Sequence, residues 1–271
     1  MPELPEVETT RRSLETGLVG RRVREVLVRE RRLRWPVPEG LEAQLRGALI
    51  RSLGRRAKYL MIETDRGTAM VHLGMSGRLR IVDPGTEALR HDHVDVVLED
   101  GRVLRYHDPR RFGSVHWLPP GGADHPLLRD LAPEPLSSLF DGGYLHTVTR
   151  RRSAAIKQII MNGNLVTGVG NIYASEALHA AGIHPKTPAR RLSRARCDRL
   201  ADAIKATLGR AIAAGGSTLR DYVDGDGRAG DFQNQSAVYG RAGEPCPRCG
   251  GAVRLIRQGQ RSTYFCAGCQ H

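Results

Sequence analysis

The sequence predicts a multidomain α+β protein: an N-terminal β-sandwich with a leading helix, a helical helix–two-turns–helix domain, and a C-terminal four-cysteine zinc-finger hairpin. Three observations carry this prediction. Short strand-like segments fill residues 22–118, segments with helical period follow, and four cysteines near the end have the pattern C-x₂-C-x₁₆-C-x₂-C. At 271 residues, the chain is long enough for two domains with separate cores.

The first predicted element is a helix that begins within the opening stretch MPELPE. Its apolar positions share one helical face: Leu4, Val7, Leu14 and Leu18. Pro5 suits a first helical turn, and Glu6 is favourable near the positive end of the helix dipole. We expect the helix to end at Gly17 to Gly20 and to hold residues 2 and 3 in a defined place.

Short strands are predicted from about residue 22 to residue 118. They read VREVLV, KYLMIE, TAMVHL, RLRIV, HVDVVL, RVLRY and SVHWL. Asp100-Gly101 is a strong hairpin signal, and LEAQLRGAL interrupts the strands as a short helix. Many short strands with one or two helices favour a β-sandwich, so residues 1–118 are expected to form one N-terminal domain.

A linker is predicted over residues 119–135, where PPGG and APEP occur. Helices are expected in AIKQIIM, from about Asn171 to Ala181, and from an N-cap at Ser193 to Gly215. Helices joined by a glycine-rich double turn favour a DNA-binding domain, which we assign to residues 136–235. Residues 217–235 carry three glycines without an apolar period and are expected to form a mobile loop.

The four cysteines close the chain in a separate module, residues 236–271: Cys246, Cys249, Cys266 and Cys269. In a reducing compartment this spacing indicates a tetrahedral zinc site, with disulfides as the alternative. AVRLIR and RSTYF between the pairs predict a hairpin flanked by Arg257 and Arg261. Such a tip suits a nucleic-acid groove, although a zinc staple with a solvated tip is the plainer interpretation.

The charge of the chain favours a polyanionic partner. The formal net charge is +13 and the sequence pI is about 10.2. Nucleic acid is the expected partner, with a membrane surface or an ordinary basic enzyme as alternatives. No apolar run approaches the ~18 residues of a membrane span, and no signal pattern opens the chain, so a cytoplasmic location is expected.

Pro2 is a candidate nucleophile. If Met1 is removed, Pro2 offers a secondary amine, and α-amino groups have a pKa of ~7.7–8.0, which leaves a useful neutral fraction. Amines form Schiff-base intermediates, and a secondary amine gives an iminium that stays a strong electron sink. Glu3 and Glu6 place carboxylates nearby for proton transfer. The alternative is an ordinary helix N-terminus.

The order of motifs along the chain resembles one family. The motifs are MPELPEVETTRR, RRAKYL, HLGMSG, YHDPRRFG, GVGNIYASE, GGSTLRD, VYGR and the four-cysteine module. Together they resemble bacterial formamidopyrimidine-DNA glycosylase across the whole chain. The resemblance implies a bifunctional DNA glycosylase and AP lyase of base excision repair, which removes 8-oxoguanine and formamidopyrimidines through a proline Schiff base with β,δ-elimination.

The resemblance also assigns roles to residues. It implies that Pro2 attacks C1′ of the damaged nucleotide and that Glu3 is the acid acting on the sugar ring oxygen. It adds Lys58 and Arg261 to the catalytic set as phosphate-contacting residues. The implied DNA-binding residues are His93, Arg110, Arg152, Lys157 and Asn171.

A glycosylase must take its base out of the stack, and the vacated space needs a filler. The resemblance implies a void-filling trio of Met75, Arg110 and Phe112, which suits an apolar wedge and an arginine that meets the orphaned base. It places the lesion loop, which would read the extruded base, at these residues: Thr218, Leu219, Arg220, Asp221 and Tyr222.

The expected partners follow from these assignments. The protein is expected to bind double-stranded DNA that carries an oxidised base, and to hold one structural Zn²⁺. It is expected to be a monomer at the bacterial nucleoid. Two alternatives stay open: an endonuclease VIII-like glycosylase for oxidised pyrimidines, and a non-catalytic zinc-containing DNA-binding protein. The endonuclease VIII branch usually opens with MPEGPE, whereas this chain has Leu4 in place of that glycine. Leu4 and the RRFG motif both favour the enzyme for purine lesions.

Overall fold

The computed structural model describes residues 2–121, 125–217 and 230–271, which form two compact units. The described residues of the first unit lie within Met1–Arg129 and Gly215–Gly230, and those of the second within Asp130–Ala214 and Asp231–His271. Within these described ranges, no helix has the length and hydropathy that crossing a membrane requires.

The first unit begins with helix α1, Leu4–Leu18, with Glu3 at its N-cap and a proline in its first turn. The predicted apolar face is confirmed, because Leu4, Val7, Leu14 and Leu18 are fully buried. The helix packs on strands Ile50–Arg56, Tyr59–Thr64 and Arg78–Val82 of the unit. Burying such a leucine stabilises the fold by about 1.5–3 kcal/mol, so the first turn of α1 is firmly seated.

Two four-stranded antiparallel sheets form the predicted β-sandwich. One sheet has the order β1-β6-β7-β5, formed by Val23–Val28, Asp92–Leu98, Val103–His107 and Arg78–Val82. The other has the order β2-β3-β4-β8, formed by Ile50–Arg56, Tyr59–Thr64, Gly67–His72 and Ser114–Leu118. Apolar side chains of both sheets form one core, for example Leu60 and Val71 with Leu79 and Leu104.

One strand was missed by the sequence prediction and one helix is shorter than predicted. Strand β2 reads IRSLGRR, with a glycine and three arginines, so it lacks a clear apolar alternation. The helix predicted for LEAQLRGAL is only Leu41–Leu45, our α2. It ends early because Gly47 adopts φ +75°, a left-handed conformation that terminates helices.

The short helix α3, Pro126–Arg129, belongs to the first unit, and the four helices that follow belong to the second. These are α4 Gly142–Thr149, α5 Ile156–Ile160, α6 Asn171–Ala181 and α7 Arg194–Ala213. Short 3₁₀ turns lie at Ala189–Arg191 and Phe232–Gln235. Helices α4 and α6 both pack on α7. Helix α4 was not predicted, because GGYLHTVT opens with two glycines.

The predicted hairpin closes the second unit. Strands β9, Val253–Gln258, and β10, Arg261–Cys266, pair antiparallel around Gly259, which has φ +57°. Strand β10 packs on α6. The buried carboxylate of Glu176 on α6 accepts the backbone N–H groups of residues 237, 238 and 239 at 2.8–3.0 Å. Helix α6 therefore holds the segment that leads into the hairpin.

Candidate functional site

The N-terminal pair Pro2 and Glu3 is buried and fixed in place. The backbone N–H of Glu3 donates to Glu6 Oε2 at 2.7 Å, which is one half of a capping box at the start of α1. Glu6 is 1% exposed, so water does not compete for the hydrogen bonds that its carboxylate accepts. This hydrogen bond fixes the backbone of Glu3, and an amine at the adjacent Pro2 would therefore have a defined position.

Glu6 also links this terminus to a distant part of the unit. Its second oxygen, Oε1, accepts the backbone N–H of Ser217 at 2.8 Å. A Cβ added to Gly216, at φ +82°, would lie 3.0 Å from the same oxygen. One carboxylate therefore joins the start of α1 to the residue just before position 218. The sequence predicted Glu6 as a favourable charge at the helix start and a nearby proton carrier, but not this link.

Lys58 lies in the tight turn between β2 and β3 and is half-buried. It lies close enough to His72 to affect that ring: burial, followed by the charges of Lys58 and Arg34, lowers the pKa of His72 to about 4. The neutral ring accepts the N–H of Gly74 through Nδ1 at 3.0 Å. His72, which sequence reasoning did not select, therefore connects the surroundings of Lys58 to the turn that carries Met75.

The three predicted void-filling residues lie on two neighbouring turns of the first unit. Met75 and Phe112 are each 42% exposed, so both large apolar side chains are open to a ligand. The guanidinium of Arg110 lies 4.6 Å from the centroid of the Phe112 ring, a cation–π contact. A Cβ on Gly74 would lie 2.4 Å from the Phe112 carbonyl carbon, so the two turns touch. The arrangement suits an apolar wedge with a cationic side.

His93, a predicted DNA-binding residue, is buried. Its Nε2 lies 2.7 Å from the backbone oxygen of Asp108, so its position serves the fold. His91, two residues earlier, is half-buried, with its ring 6.4 Å from that of His93. Of these two histidines, His91 is the more accessible to a ligand. DNA binding by His93 stays a prediction, and its burial disfavours a direct contact.

In the second unit, Lys157 and Asn171 form one hydrogen-bonded cluster. Lys157 is 2% exposed, and its Nζ donates to Asn171 Oδ1 at 2.7 Å, Thr263 Oγ1 at 2.8 Å and Ser262 O at 3.2 Å. Asn171 is the first residue of α6, and its Nδ2 donates to Ser262 O at 3.0 Å and Tyr239 Oη at 3.3 Å. The ammonium thus orients Asn171 at a helix N-terminus, where anions bind well.

The other predicted cations of this unit are exposed. Arg261 begins β10 beside the hairpin tip, opposite Gln258 in the strand register. Residues of α5 and the following turn, with residues 258–261, line a groove of about 330 Å³. Arg152 donates through Nη1 to the Val148 backbone oxygen at 2.6 Å and is also exposed. Both arginines can reach a phosphate, and their DNA contacts remain predictions.

The four cysteine sulfurs form a cluster in which all ligand atoms lie within 4.8 Å of one another. A tetrahedral zinc with Zn–S bonds of ~2.3 Å places its sulfurs roughly 3.8 Å apart. Cys246 and Cys269 are 3.9 Å apart, and Cys249 and Cys266 are 3.4 Å apart. A disulfide needs about 2.05 Å, so this geometry fits zinc and excludes the disulfide alternative.

The side chain of His179 contacts one of the four cysteine sulfurs. Its Nε2 lies 3.3 Å from Cys246 Sγ, and the ring is buried on the last turn of α6. Burial raises the pKa of the Cys246 thiol, but hydrogen bonds from the backbone of Arg248 and Cys249 and from His179 outweigh it and lower the pKa to about 6. The thiolate that zinc requires is therefore favoured at Cys246. At Cys266 and Cys269, burial and hydrogen bonds among the sulfurs raise the thiol pKa, so zinc binding there would displace a proton.

The predicted lesion-loop residues Thr218 to Tyr222 lie outside the described residues. The end of the predicted loop, residues 230–235, is described and is not free of apolar anchors. Phe232 is 1% exposed and packs on Tyr173, with ring centroids 5.3 Å apart. The expectation that residues 217–235 lack apolar anchoring is therefore wrong at this end, because a single buried aromatic shows no period in the sequence.

Family models match the chain in three consecutive segments. Residues 1–115 match the formamidopyrimidine-DNA glycosylase N-terminal domain, and residues 131–223 match the H2TH domain of the same family. Residues 243–271 match the zinc finger found in FPG and IleRS. The three matches follow the order of the sandwich, the helices and the hairpin.

Curated relatives match over the full length. A formamidopyrimidine-DNA glycosylase of Cupriavidus pinatubonensis is 56% identical over 284 residues, and one of Pseudomonas aeruginosa is 56% identical over 271 residues; both alignments cover 100% of each chain. The matches therefore span the sandwich, the helices and the hairpin alike.

Solved structures share the fold. The MutM (Fpg) protein of Thermus thermophilus is 39% identical with a TM-score of 0.89, covering 99% of this chain and 98% of that one. A Lactococcus lactis FPG mutant in complex with Fapy-dG-containing DNA is 35% identical with a TM-score of 0.93, covering 100% of both chains. A complex of Lactococcus lactis Fpg with abasic-site DNA is 34% identical with a TM-score of 0.92, covering 99% of both chains.

Proposed function

The chain belongs to the formamidopyrimidine-DNA glycosylase family, and on that premise we propose that it is a DNA glycosylase and AP lyase that removes oxidised purines from duplex DNA. Its substrates would be 8-oxoguanine and formamidopyrimidines, the second being the lesion in a complex of its Lactococcus lactis relative. Since its substrate is chromosomal DNA, we place it in the bacterial cytoplasm at the nucleoid.

The observation that carries the proposal is the buried pair Pro2 and Glu3, held at the start of α1 by the carboxylate of Glu6. A nucleophile held in one orientation avoids much of the entropy cost of reaching its target. Once Met1 is removed, the Pro2 nitrogen would bond to C1′ of the damaged nucleotide while the bond from C1′ to the base breaks. Glu3 would protonate the sugar ring oxygen, which opens the ring to an iminium.

The iminium draws electrons from the sugar, so the proton at C2′ becomes acidic and the 3′ phosphate leaves by β-elimination. A second elimination then releases the 5′ phosphate. Lys58 in its turn and Arg261 at the hairpin would bind the phosphates that flank the nucleotide. A bound zinc would hold the hairpin strands in register through the four thiolates and so fix the base of the Arg261 tip.

The test is cleavage and trapping on a duplex with one 8-oxoguanine opposite cytosine. Sodium borohydride should reduce the iminium and leave a covalent protein–DNA complex, and intact mass should show the loss of Met1. Glu3→Gln should bind the duplex but lose base excision, whereas Glu39→Gln, at an exposed position, should act like the wild type.

Three results would contradict parts of the proposal. Equal trapping by a preparation that retains Met1 would exclude Pro2 as the nucleophile. Preference for oxidised thymine would move the protein to the endonuclease VIII branch. Binding without any excision or trapping would leave a non-catalytic DNA-binding protein.

A further inference from the structure

A buried carboxylate lies beneath the two turns that carry Met75 and Phe112. Asp108 is fully buried, and its side chain accepts four hydrogen bonds. Oδ1 accepts Ser76 Oγ at 2.7 Å and the N–H of Arg110 at 3.3 Å, whereas Oδ2 accepts Gly113 N–H at 2.9 Å and Tyr106 Oη at 3.1 Å. Hydrogen bonds to an ionised acceptor are stronger than those between neutral groups, so this is a firm junction.

Three of the four donors come from two different turns, and the fourth, Tyr106, lies on strand β7. Ser76 belongs to turn 73–77, which carries Met75, and the N–H groups belong to turn 108–113, which carries Arg110 and Phe112. The hydroxyl of Ser76 also lies 3.3 Å from the Arg110 nitrogen, so it takes part on both sides. The carboxylate is thus a bridge between turns that lie 32 residues apart in sequence.

The backbone of Asp108 is fixed as well. Its N–H donates to His91 O at 3.0 Å, and its oxygen lies 2.7 Å from His93 Nε2 and accepts Arg111 N–H at 3.2 Å. Arg111 has φ +54°, a conformation that non-glycine residues rarely adopt and that surrounding contacts must maintain. Asp108 opens turn 108–113, and the contact with His93 ties this end of the turn to strand β6, so the junction is anchored to the sheet.

We infer that Asp108 is a positioning residue for the void-filling trio: its carboxylate joins the two turns so that Met75, Arg110 and Phe112 enter the duplex as one rigid wedge. The inference rests on the proposed function. A wedge made of two independent turns would lose entropy at the moment of insertion, and a displacement of about 1 Å can cost 10²-fold in rate. Asp108 touches neither the lesion nor the partner base and acts only through the trio.

The test uses single-turnover excision of 8-oxoguanine opposite cytosine and opposite adenine. Ser76→Ala removes the hydroxyl that links the turns, with its hydrogen bond to Asp108 and its contact with the Arg110 nitrogen. It should slow excision opposite cytosine about tenfold, which the loss of the hydrogen bond to the carboxylate accounts for. It should also reduce the preference for cytosine, because Arg110 is no longer held against its partner base. Asp108→Asn should have the same pattern with a larger effect, about 10²-fold.

A matched control is available in the same unit. Ser52 Oγ donates to Glu63 Oε2 at 2.6 Å, a serine–carboxylate bond of similar length that lies away from both turns. Ser52→Ala should therefore keep wild-type excision and wild-type preference. Cleavage of a single-stranded oligonucleotide with a preformed abasic site needs no wedge, and Ser76→Ala should stay within about twofold of the wild type there.

Either of two results would overturn the inference. Ser76→Ala could keep the wild-type rate and preference on duplex DNA, or it could lose single-strand cleavage to the same extent, which would mean a general defect. Failure of the wild type to excise 8-oxoguanine would instead overturn the proposed function. The positioning role would then still be measured by the fluorescence rise of 2-aminopurine opposite an uncleavable abasic analogue, which Ser76→Ala should slow.

Discussion

The buried ammonium of Lys157 gives a prediction whose size follows from the structure. Replacement by Met keeps the length of the stem and removes the three hydrogen bonds to Asn171 Oδ1, Thr263 Oγ1 and Ser262 O. Ser262 O keeps the hydrogen bond from Asn171 Nδ2 at 3.0 Å. The variant therefore removes the donor to one buried acceptor, Thr263 Oγ1, whereas the oxygen of half-buried Asn171 is open to water.

Each buried acceptor left without a partner costs about 1–3 kcal/mol, and removal of a buried charge returns part of that cost. With one buried acceptor affected, we expect Lys157→Met to lower the free energy of unfolding of the second unit by about 1–3 kcal/mol. Asn171 also loses the contact that orients its amide, so affinity for duplex DNA should fall about tenfold, which corresponds to ~1.4 kcal/mol.

The salt dependence of binding separates positioning from direct contact. A cation that neutralises a phosphate adds about 0.9 to the slope of log affinity against log salt. Because the Lys157 ammonium donates to protein oxygens, its loss should weaken binding while the slope stays unchanged. Fluorescence anisotropy over a salt range of roughly 50–200 mM measures both the affinity and the slope.

The control is Lys186→Met, which removes an exposed lysine of the same unit. It should leave the urea midpoint, followed by circular dichroism, close to that of the wild type. If Lys157→Met matches Lys186→Met in stability and affinity, the cluster does not position Asn171. If the salt slope of Lys157→Met is smaller by about 0.9, the value for one phosphate contact, Lys157 binds DNA directly, as the family resemblance implies.

Other predictions concern the zinc centre, partner-base choice and pH. Cys249→Ala should release zinc and weaken DNA binding, and a full zinc content by metal analysis would contradict the site. His179→Phe should speed zinc loss to a chelator about 10–100-fold, the usual cost of removing an outer-shell partner; unchanged release would refute its role. Arg110→Ala should reduce the preference for 8-oxoguanine opposite cytosine over adenine about tenfold, whereas Phe112→Ala should slow excision opposite both; equal wild-type rates would exclude the first role. Burial, followed by a neighbouring histidine, lowers the pKa of His116 to about 4. Unfolded histidine titrates near ~6.5, so the unfolded state binds the extra proton and stability should fall as pH drops from about 6.5 to about 4. His116→Asn should flatten that dependence by at most ~1.4 kcal/mol per pH unit, as measured by urea unfolding at each pH.

Local patterns in the sequence determined the elements and the metal ligands. The apolar face of α1 follows from a 3.6-residue period, and the zinc ligands follow from paired cysteines at fixed spacing. Strand β2 and helix α4 escaped prediction because glycines and arginines hide their periods. The chemistry of an N-terminal proline beside carboxylates made Pro2 and Glu3 candidates, and the family motifs added their specific roles.

Only the tertiary structure decided which buried charges meet which partners. Glu6 reaches Ser217 across 211 residues, Lys157 reaches Thr263 across 106, and Asp108 reaches Ser76 across 32. Periodicity shows which side chains face a core. It does not show which donors will bind a buried carboxylate, or which acceptors will bind a buried ammonium. That choice depends on packing between distant segments, because a buried charge is stable only where the fold brings several hydrogen-bond partners to it.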